Sequence, residues 1–333
     1  MSRGFFWLGS DVVETANGTL RAGQMYVEWE APELSTKLPV VLIHGGGGQG
    51  TDYLGTPSRP GWAQLLVADG HPVYVVDRPG HGRSPLDPAT AGEIAPAMSI
   101  EAWLEVMAPE AFASSHTQWP FGRTSDDAGV REMTSGNGPM PVDWRVMHEV
   151  EQRRLVELLE RIGPAIVVAH SAGGPAGFLA GDARPELVSA LVEVEPIGPP
   201  FLRRAGGYRY LAWGVASAPL TMDPPPVDPS DIVVKTIDSG GTLITLQNEP
   251  VRALTNLARI PIALVQADAS HVGAMVPATA AFLRQAGCIV DVIRLSEHGV
   301  EGNGHAMMLE LNNDEVLRII WRWVNDHTTV QKE

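Results

Sequence analysis

Residues 166–179 constrain the fold of this chain more than any other segment. An apolar run at 166–169 leads into a His-Ser-Ala-Gly-Gly turn at 170–174, and a helical pattern begins at Pro175. A run that is apolar at every position predicts a strand covered by helices on both faces. The small residues around Ser171 predict a sharp turn from that strand into the helix. Together they indicate an α/β fold built on a parallel sheet.

The same alternation of strand and helix recurs along the whole chain. Short β-branched runs are each followed by Gly, Pro or Asp and then by a helical pattern,. Residues 5–14 and 24–30 predict an opening antiparallel pair, joined through the Asn17-Gly18 turn. The remaining predicted strands lie at 40–43, 73–76, 166–169, 190–195, 262–267 and 289–294. The sequence therefore predicts a mostly parallel sheet of eight strands with helices on both faces.

Two helices and two long connections complete the predicted domain, which spans residues 1–333. Apolar residues at spacings of three and four predict a helix that ends before Gly163, and a C-terminal helix that is N-capped by Asn313,. Residues 85–143 and 196–259 are too long for simple connections between a strand and a helix. We expect both to form lid insertions over the core.

Composition limits the partners of the protein. Lys and Arg number 24 against 39 Asp and Glu, so the formal net charge is −15. Such a surface repels nucleic acid and anionic membranes, which leaves small, neutral and partly apolar molecules as the expected partners. The only cysteine is Cys288, so no intrachain disulfide can form and a cytoplasmic location is expected,. The oligomeric state is left open, with a homodimer as one option.

Ser171 is the candidate nucleophile, because the strained turn would lift its hydroxyl above the sheet. A serine hydroxyl needs a base, which in this kind of fold follows the acid and the serine along the chain. Of the ten histidines, His305 has the best position, in a glycine-containing loop between the last predicted strand and the C-terminal helix. His298 and His271 are weaker alternatives.

Two acidic residues compete to orient His305. Glu195 ends the predicted strand at 190–195 and Asp268 follows the one at 262–267, and both strand ends meet the same edge of the sheet. Position alone favours Asp268, whereas Glu195 is hard to explain in another role. Glu193 alternates onto the same face as Glu195 but further down the strand, so we interpret it as a buried acid with its hydrogen bonds satisfied.

Acyl transfer also needs backbone N–H groups that stabilise the oxyanion of the transition state. Ala172, which follows the nucleophile, would supply one donor. Gly45 or Gly46, in the loop after the strand at 40–43, would supply the other. We expect His44 to anchor neighbouring loops by hydrogen bonds and to take no part in the chemistry.

These motifs resemble those of the α/β-hydrolase superfamily over nearly the whole chain. The resemblance rests on the His44-Gly45 loop, the DRPGHGRS stretch at 77–84, the His-Ser elbow at 170–171 and the loop at 302–305. More narrowly, Thr56-Pro57, Gly61-Trp62, the Val-Glu-Pro stretch at 194–196 and the stretch 299–308 are similar to a bacterial esterase branch.

That branch places its triad acid as Glu after the sixth strand, so the resemblance implies Glu195. It further implies a serine esterase that cleaves a carboxylic ester or lactone through an acyl-enzyme, without cofactor or metal. Some members carry cysteines beside the oxyanion loop, where this chain has Gly46 and Gly47. No redox chemistry is therefore expected of that loop.

Several other readings remain open or fail on context. The same residues could cleave an amide or a carbon–carbon bond or transfer an acyl group, and the fold could serve a receptor without catalysis. A dinucleotide site at Gly45, Gly47 and Gly50 lacks the helix that would bind the phosphates. A metal site is disfavoured because the histidines lack a metal-binding spacing.

Overall fold

The computed structural model describes residues 1–9, 11–16, 18–56, 58–203, 210–240 and 242–328. Its centre is an eight-stranded sheet with the spatial order β1-β2-β4-β3-β5-β6-β7-β8. β2 pairs antiparallel with both β1 and β4, and the other neighbouring strands pair in parallel. The strands are β1 (Ser2–Leu8), β2 (Met25–Ala31), β3 (Val40–Ile43), β4 (Val73–Asp77), β5 (Ala165–His170), β6 (Val188–Val194), β7 (Ile262–Gln266) and β8 (Val290–Arg294). The predicted eight-stranded, mostly parallel sheet is confirmed.

Helices cover both faces of the sheet, which explains why β3 and β5 are buried at every residue,. The helices are α1 (Trp62–Ala68), α2 (Pro88–Ala91), α3 (Ile100–Met107), α4 (Ala128–Thr134), α5 (Trp144–Ile162), α6 (Gly174–Ala183), α7 (Val276–Gln285) and α8 (Asn313–His327). Helices α5, α6 and α7 contribute to one apolar core, and α1 and α8 contribute to the other. Within the described ranges, none of the helices has the length and apolarity needed to cross a membrane.

The opening of the chain differs from its prediction. β1 pairs directly with β2, from Ser2 opposite Ala31 to Leu8 opposite Met25. The intervening segments, Asp11–Thr15 and Gly18–Ala22, form a separate two-stranded hairpin. Gly9 and Gly23 have φ values of 65° and 64°, in the left-handed region that glycine adopts readily. Both glycines lie between the hairpin and the β1–β2 pair, and they separate the two. Two predicted features, Asn17 of the turn and Pro57 of the esterase-like motif, lie outside the described residues.

The N-terminus of α8 also differs by one residue. Asn313, the predicted N-cap, is the first helical residue, and Asn312 occupies the capping position. The amide of Asn313 instead donates to the carbonyl oxygens of Pro60 and Met308. Packing therefore uses this side chain to tie α8 to two loops.

The two long segments contain structure of their own. Residues 85–143 hold α2, α3, α4 and the short pair formed by Ile94–Ala95 and Met140–Pro141. Buried Trp103, Trp119 and Val130 pack this segment into the core that also contains α1 and α8. Residues 196–259 hold a hairpin of Val234–Ser239 and Thr242–Gln247. Both segments lie between strands of the sheet in sequence, but the parts of them that the structure describes add no strand to it.

Candidate active site

Ser171 occupies the turn between β5 and α6 in a strained conformation. Its φ is 53°, in the left-handed region that residues with a side chain seldom adopt. The turn is tight enough that a Cβ on Gly173 would lie 2.3 Å from the carbonyl oxygen of His44. The small residue at position 173 is therefore required by backbone packing, as the sequence pattern predicted.

His305 and Glu195 extend a hydrogen-bonded chain from Ser171. The Oγ of Ser171 lies 2.9 Å from Nε2 of His305. Nδ1 of His305 lies 2.7 Å from Oε2 of Glu195, and both of these side chains are fully buried. Ser171 follows β5, His305 follows β8 and Glu195 follows β6. The three side chains meet because parallel strands end at one edge of the sheet.

Glu195 is held by two further donors. Ser270 donates through its hydroxyl to Oε2 at 2.6 Å, and the backbone N–H of Ala267 donates to Oε1 at 2.8 Å. Hydrogen bonds from both sides fix the carboxylate towards His305. Sequence reasoning missed Ser270, which no spacing motif marks. Its one signal is its place four residues beyond the end of β7.

Asp268, the alternative acid, does not contact His305. It accepts hydrogen bonds from Arg294, with Oδ1 at 2.9 Å from Nε and 2.7 Å from Nη2. Its side chain is 39% exposed, whereas that of Glu195 is fully buried. Both acids lie at the same edge of the sheet, and their side chains point to different partners.

The glycine loop after β3 lies against the serine turn. The carbonyl oxygen of Gly45 accepts hydrogen bonds from Nη2 of Arg78 at 2.9 Å and from Nδ1 of His44 at 2.8 Å. A Cβ on Gly46 would lie 3.1 Å from Cβ of Ala172. The three predicted oxyanion residues are therefore neighbours. Nε2 of His44 accepts from the Arg78 N–H at 2.9 Å, so His44 links two loops.

Arg78 is a buried cation that sequence reasoning did not single out. Its Nη1 donates to Oε1 of Glu151 at 2.8 Å, and both side chains are almost completely buried. Burial of two charges is expensive unless they are paired and hydrogen-bonded, as they are here. The residue lies in the stretch that carried the family resemblance, but only the tertiary contacts reveal its link to Gly45.

Burial keeps several nearby histidines neutral. Removal from water lowers the pKa of His44, His81 and His170 well below the ordinary value,. Removal from water also lowers the pKa of His148 to about 3, with a further contribution from Arg78. These rings therefore act as neutral hydrogen-bonding groups around the site at physiological pH.

The loop that carries His305 is anchored by a second buried carboxylate, Glu310. One oxygen of Glu310 accepts from the Gly304 N–H at 2.8 Å and lies 2.7 Å from Nε2 of His116. The other oxygen accepts from the Asn303 amide at 2.7 Å. His116 belongs to the segment 85–143, so this contact joins that segment to the His305 loop. Neither His116 nor Glu310 carried a sequence signal for this role.

Glu193 is buried as predicted, but the prediction that its hydrogen bonds are satisfied was wrong. Among the described residues, neither of its carboxyl oxygens has a hydrogen-bond partner. The carboxyl group lies against α6, where a Cβ on Gly174 or Gly177 would come within 2.6 or 2.5 Å of it. Burial raises its pKa well above the ordinary value, which favours the uncharged form over an uncompensated buried charge. The alternation of side chains along the strand predicted that Glu193 is buried, but it could not predict which groups surround its carboxyl group.

Comparisons with known proteins agree with this fold. A family model described as the alpha/beta hydrolase family matches residues 40–319. A probable secreted lipase, phiG, from Fungal sp. (strain ATCC 74256) is 34% identical over 313 residues, which cover 90% of this chain and 85% of that protein. A solved structure of a bacterial esterase has a TM-score of 0.68 and 21% identity, covering 98% of this chain and 96% of the esterase.

The sheet order and the serine turn define a hydrolase built on an α/β sheet. The family model and the similar lipase each match most of the chain. The chain therefore belongs to the alpha/beta hydrolase family, and the resemblance of its motifs to the α/β-hydrolase superfamily is confirmed.

Proposed function

We propose that this protein hydrolyses carboxylic esters through an acyl-enzyme on Ser171, with His305 as general base and Glu195 as the acid that orients it. The observation that carries the proposal is the continuous hydrogen-bonded chain from Ser171 through His305 to Glu195. The chain is a carboxylic ester hydrolase by its family and its relatives. The proposal concerns which residues perform the reaction and in what order.

Each step moves one proton through His305. Ser171 Oγ attacks the ester carbonyl while Nε2 of His305 takes the hydroxyl proton. The tetrahedral intermediate collapses, and the leaving alcohol takes that proton from Nε2. Water then attacks the acyl-enzyme by the same route and releases the acid and the free serine. Glu195 accepts the Nδ1–H of His305 throughout and stabilises the imidazolium.

Peptide geometry favours Gly46 over Gly45 as the second oxyanion donor. In a trans peptide the N–H points away from the preceding carbonyl. Arg78 and His44 hold the carbonyl of Gly45, so the N–H of Gly46 points away from both of these side chains. The carbonyl of Ser171 accepts from the Ile197 N–H at 2.9 Å, which orients the N–H of Ala172 in the same manner. We infer that Gly46 and Ala172 bind the oxyanion.

Apolar side chains near the site favour a substrate with an apolar part. Trp103, Met107, Met133 and Met308 surround the space beside the glycine loop. Such walls with a few polar groups are typical of sites for small apolar ligands. The lipase name of the 34% identical relative points to the same class of ester.

The test combines covalent labelling with turnover of a short-chain aryl ester. A fluorophosphonate probe should add one label to the wild-type protein, at Ser171 by peptide mass, and none to Ser171→Ala. The wild-type protein should also release aryl alcohol in a burst as the acyl-enzyme accumulates. Normal turnover by a folded Ser171→Ala variant would refute the proposal. Labelling with turnover of amides but of neither esters nor lactones would refute the substrate class alone.

A further inference from the structure

A small cavity beside Ser171 contains polar groups that the proposed reaction does not use. It is bounded by Gly45 and Gly46, by His170, and by side chains of the segment 85–143 and of the loop after His305. Its volume is about 10 Å³, which is about the room that one water molecule needs. A hydroxyl group of a bound molecule would occupy the same space.

His170 presents an unused hydrogen-bond acceptor to this cavity. Its Nε2 lies 3.0 Å from the carbonyl oxygen of His305, which can only accept, so Nε2 carries the hydrogen. Burial, followed by repulsion from His305, lowers the pKa of His170 well below its ordinary value. The ring is therefore neutral, and Nδ1 is an acceptor. Within the described ranges, this buried Nδ1 has no hydrogen-bond partner.

Asn137 presents the complementary donor. Its Nδ2 is also buried and has no partner among the residues that the structure describes, and the residue lines the same cavity. A buried donor or acceptor without a partner destabilises the protein. A hydroxyl group has the chemistry to pair with one atom of each kind, because it donates one hydrogen bond and accepts others.

The acceptor lies close to the reacting serine. The position that a Cβ on Gly45 would occupy is 2.8 Å from Nδ1 of His170 and 3.1 Å from Cβ of Ser171. An ester bound at Ser171 can therefore reach the cavity with a group only a few bonds from its carbonyl carbon. Trp103 and Met308 form apolar walls, so the polar side chains that line the cavity, His170, Asn137 and Asp52, select that group,.

We propose that this cavity is a subsite for a substrate hydroxyl located within two or three bonds of the ester group, held by Nδ1 of His170 and Nδ2 of Asn137. The proposal rests on the proposed ester hydrolysis at Ser171. The hydroxyl belongs either to the acid or to the alcohol part of the ester, and the recognition chemistry is the same for both.

Two matched pairs of esters test the subsite. 4-Nitrophenyl butanoate is compared with 4-nitrophenyl 3-hydroxybutanoate for the acid part, and ethyl butanoate with 2-hydroxyethyl butanoate for the alcohol part. Each kcat/KM is divided by the hydroxide-catalysed rate of the same ester, which removes differences in intrinsic reactivity. We expect the hydroxylated member of one pair to be preferred by about 10- to 100-fold, the effect of leaving buried polar groups unpaired.

Variants of Asn137 separate recognition from general activity. Asn137→Leu, and the smaller Asn137→Ala in case leucine disturbs folding, should reduce the preference by about tenfold. Ser135→Ala is the matched control, because Ser135 is exposed and its hydroxyl donates to the Arg131 carbonyl outside the cavity. That variant should keep the wild-type preference.

The outcomes distinguish this proposal from the one on which it rests. Turnover of the esters with a preference below twofold in both pairs would refute the subsite and leave ester hydrolysis intact. A preference that survives both Asn137 variants would also refute it. If the wild-type protein turned over none of the four esters and took no label at Ser171, both proposals would be refuted together.

Discussion

Replacing Glu195 with glutamine should disable the protein with almost no change in side-chain volume. Glu195 accepts three hydrogen bonds, from Nδ1 of His305, the hydroxyl of Ser270 and the N–H of Ala267. A glutamine has one acceptor oxygen and one donor NH2 group. In either orientation of the amide, a donor therefore faces a donor.

The two orientations have different consequences. If the NH2 group faces His305, Nδ1 must accept, and the hydrogen moves to Nε2, where it blocks removal of the Ser171 proton. Such a wrong tautomer lowers turnover by about 10⁴-fold, which equals about 5.4 kcal/mol of transition-state stabilisation. If the NH2 group faces Ala267 instead, the loss appears as a lower free energy of unfolding, by about 1–3 kcal/mol. We expect the first outcome to dominate in folded protein.

The assay is kcat for a short-chain aryl ester, with urea unfolding to show that the variant is folded. Asp268→Asn is the matched control, because Asp268 forms a part-exposed ion pair with Arg294. Such pairs contribute about 0–1 kcal/mol, so this variant should keep kcat within about tenfold of wild type. A larger loss in Asp268→Asn than in Glu195→Gln would refute the assignment of the acid.

Three further predictions follow from packing and charge. Gly173→Ala should abolish turnover or yield no folded protein, because its Cβ would lie 2.3 Å from the His44 carbonyl oxygen; Gly138→Ala, with open space at that position, should behave as wild type. The double variant Arg78→Met/Glu151→Leu removes the buried ion pair without stranding either charge,. This variant should lose about 10- to 100-fold in kcat with little change in KM, which is less than the loss of about 10²–10³ caused by removing an oxyanion donor. An unchanged kcat would contradict the proposal that Arg78 orients the Gly46 N–H by holding the Gly45 carbonyl. The pKa of His148 is about 3 in the folded state, against an ordinary value of 6.5. Between these two pH values the His148 ring takes up a proton in the unfolded state but not in the folded state. The free energy of unfolding therefore decreases as the pH falls below 6.5,. His148→Asn should reduce the slope of the free energy of unfolding against pH by up to about 1.4 kcal/mol per pH unit, measured by urea unfolding at pH 5 to 7. An unchanged slope would show that the pKa of His148 does not differ between the folded and unfolded states.

Local patterns were enough to predict the sheet and the serine turn. The strand at 40–43 has the predicted bounds, and the helix that ends before Gly163 does so in the structure. These elements depend on residues close together in sequence, where apolar periodicity and turn-forming glycines act directly. The opening of the chain was less predictable, because two left-handed glycines divide it into two separate strand pairs.

The sequence by itself determined the family, the position of Ser171 in its turn, and the order of serine, acid and histidine candidates along the chain. It could not choose between Glu195 and Asp268 from the residues alone, since both follow strands that end at the same edge. Only the tertiary structure placed Glu195 against His305 and turned Asp268 towards Arg294. It also brought Arg78 to Gly45 and His116 to Glu310 across long stretches of chain. Such choices depend on the direction of each side chain among distant neighbours, and a linear pattern does not encode that direction.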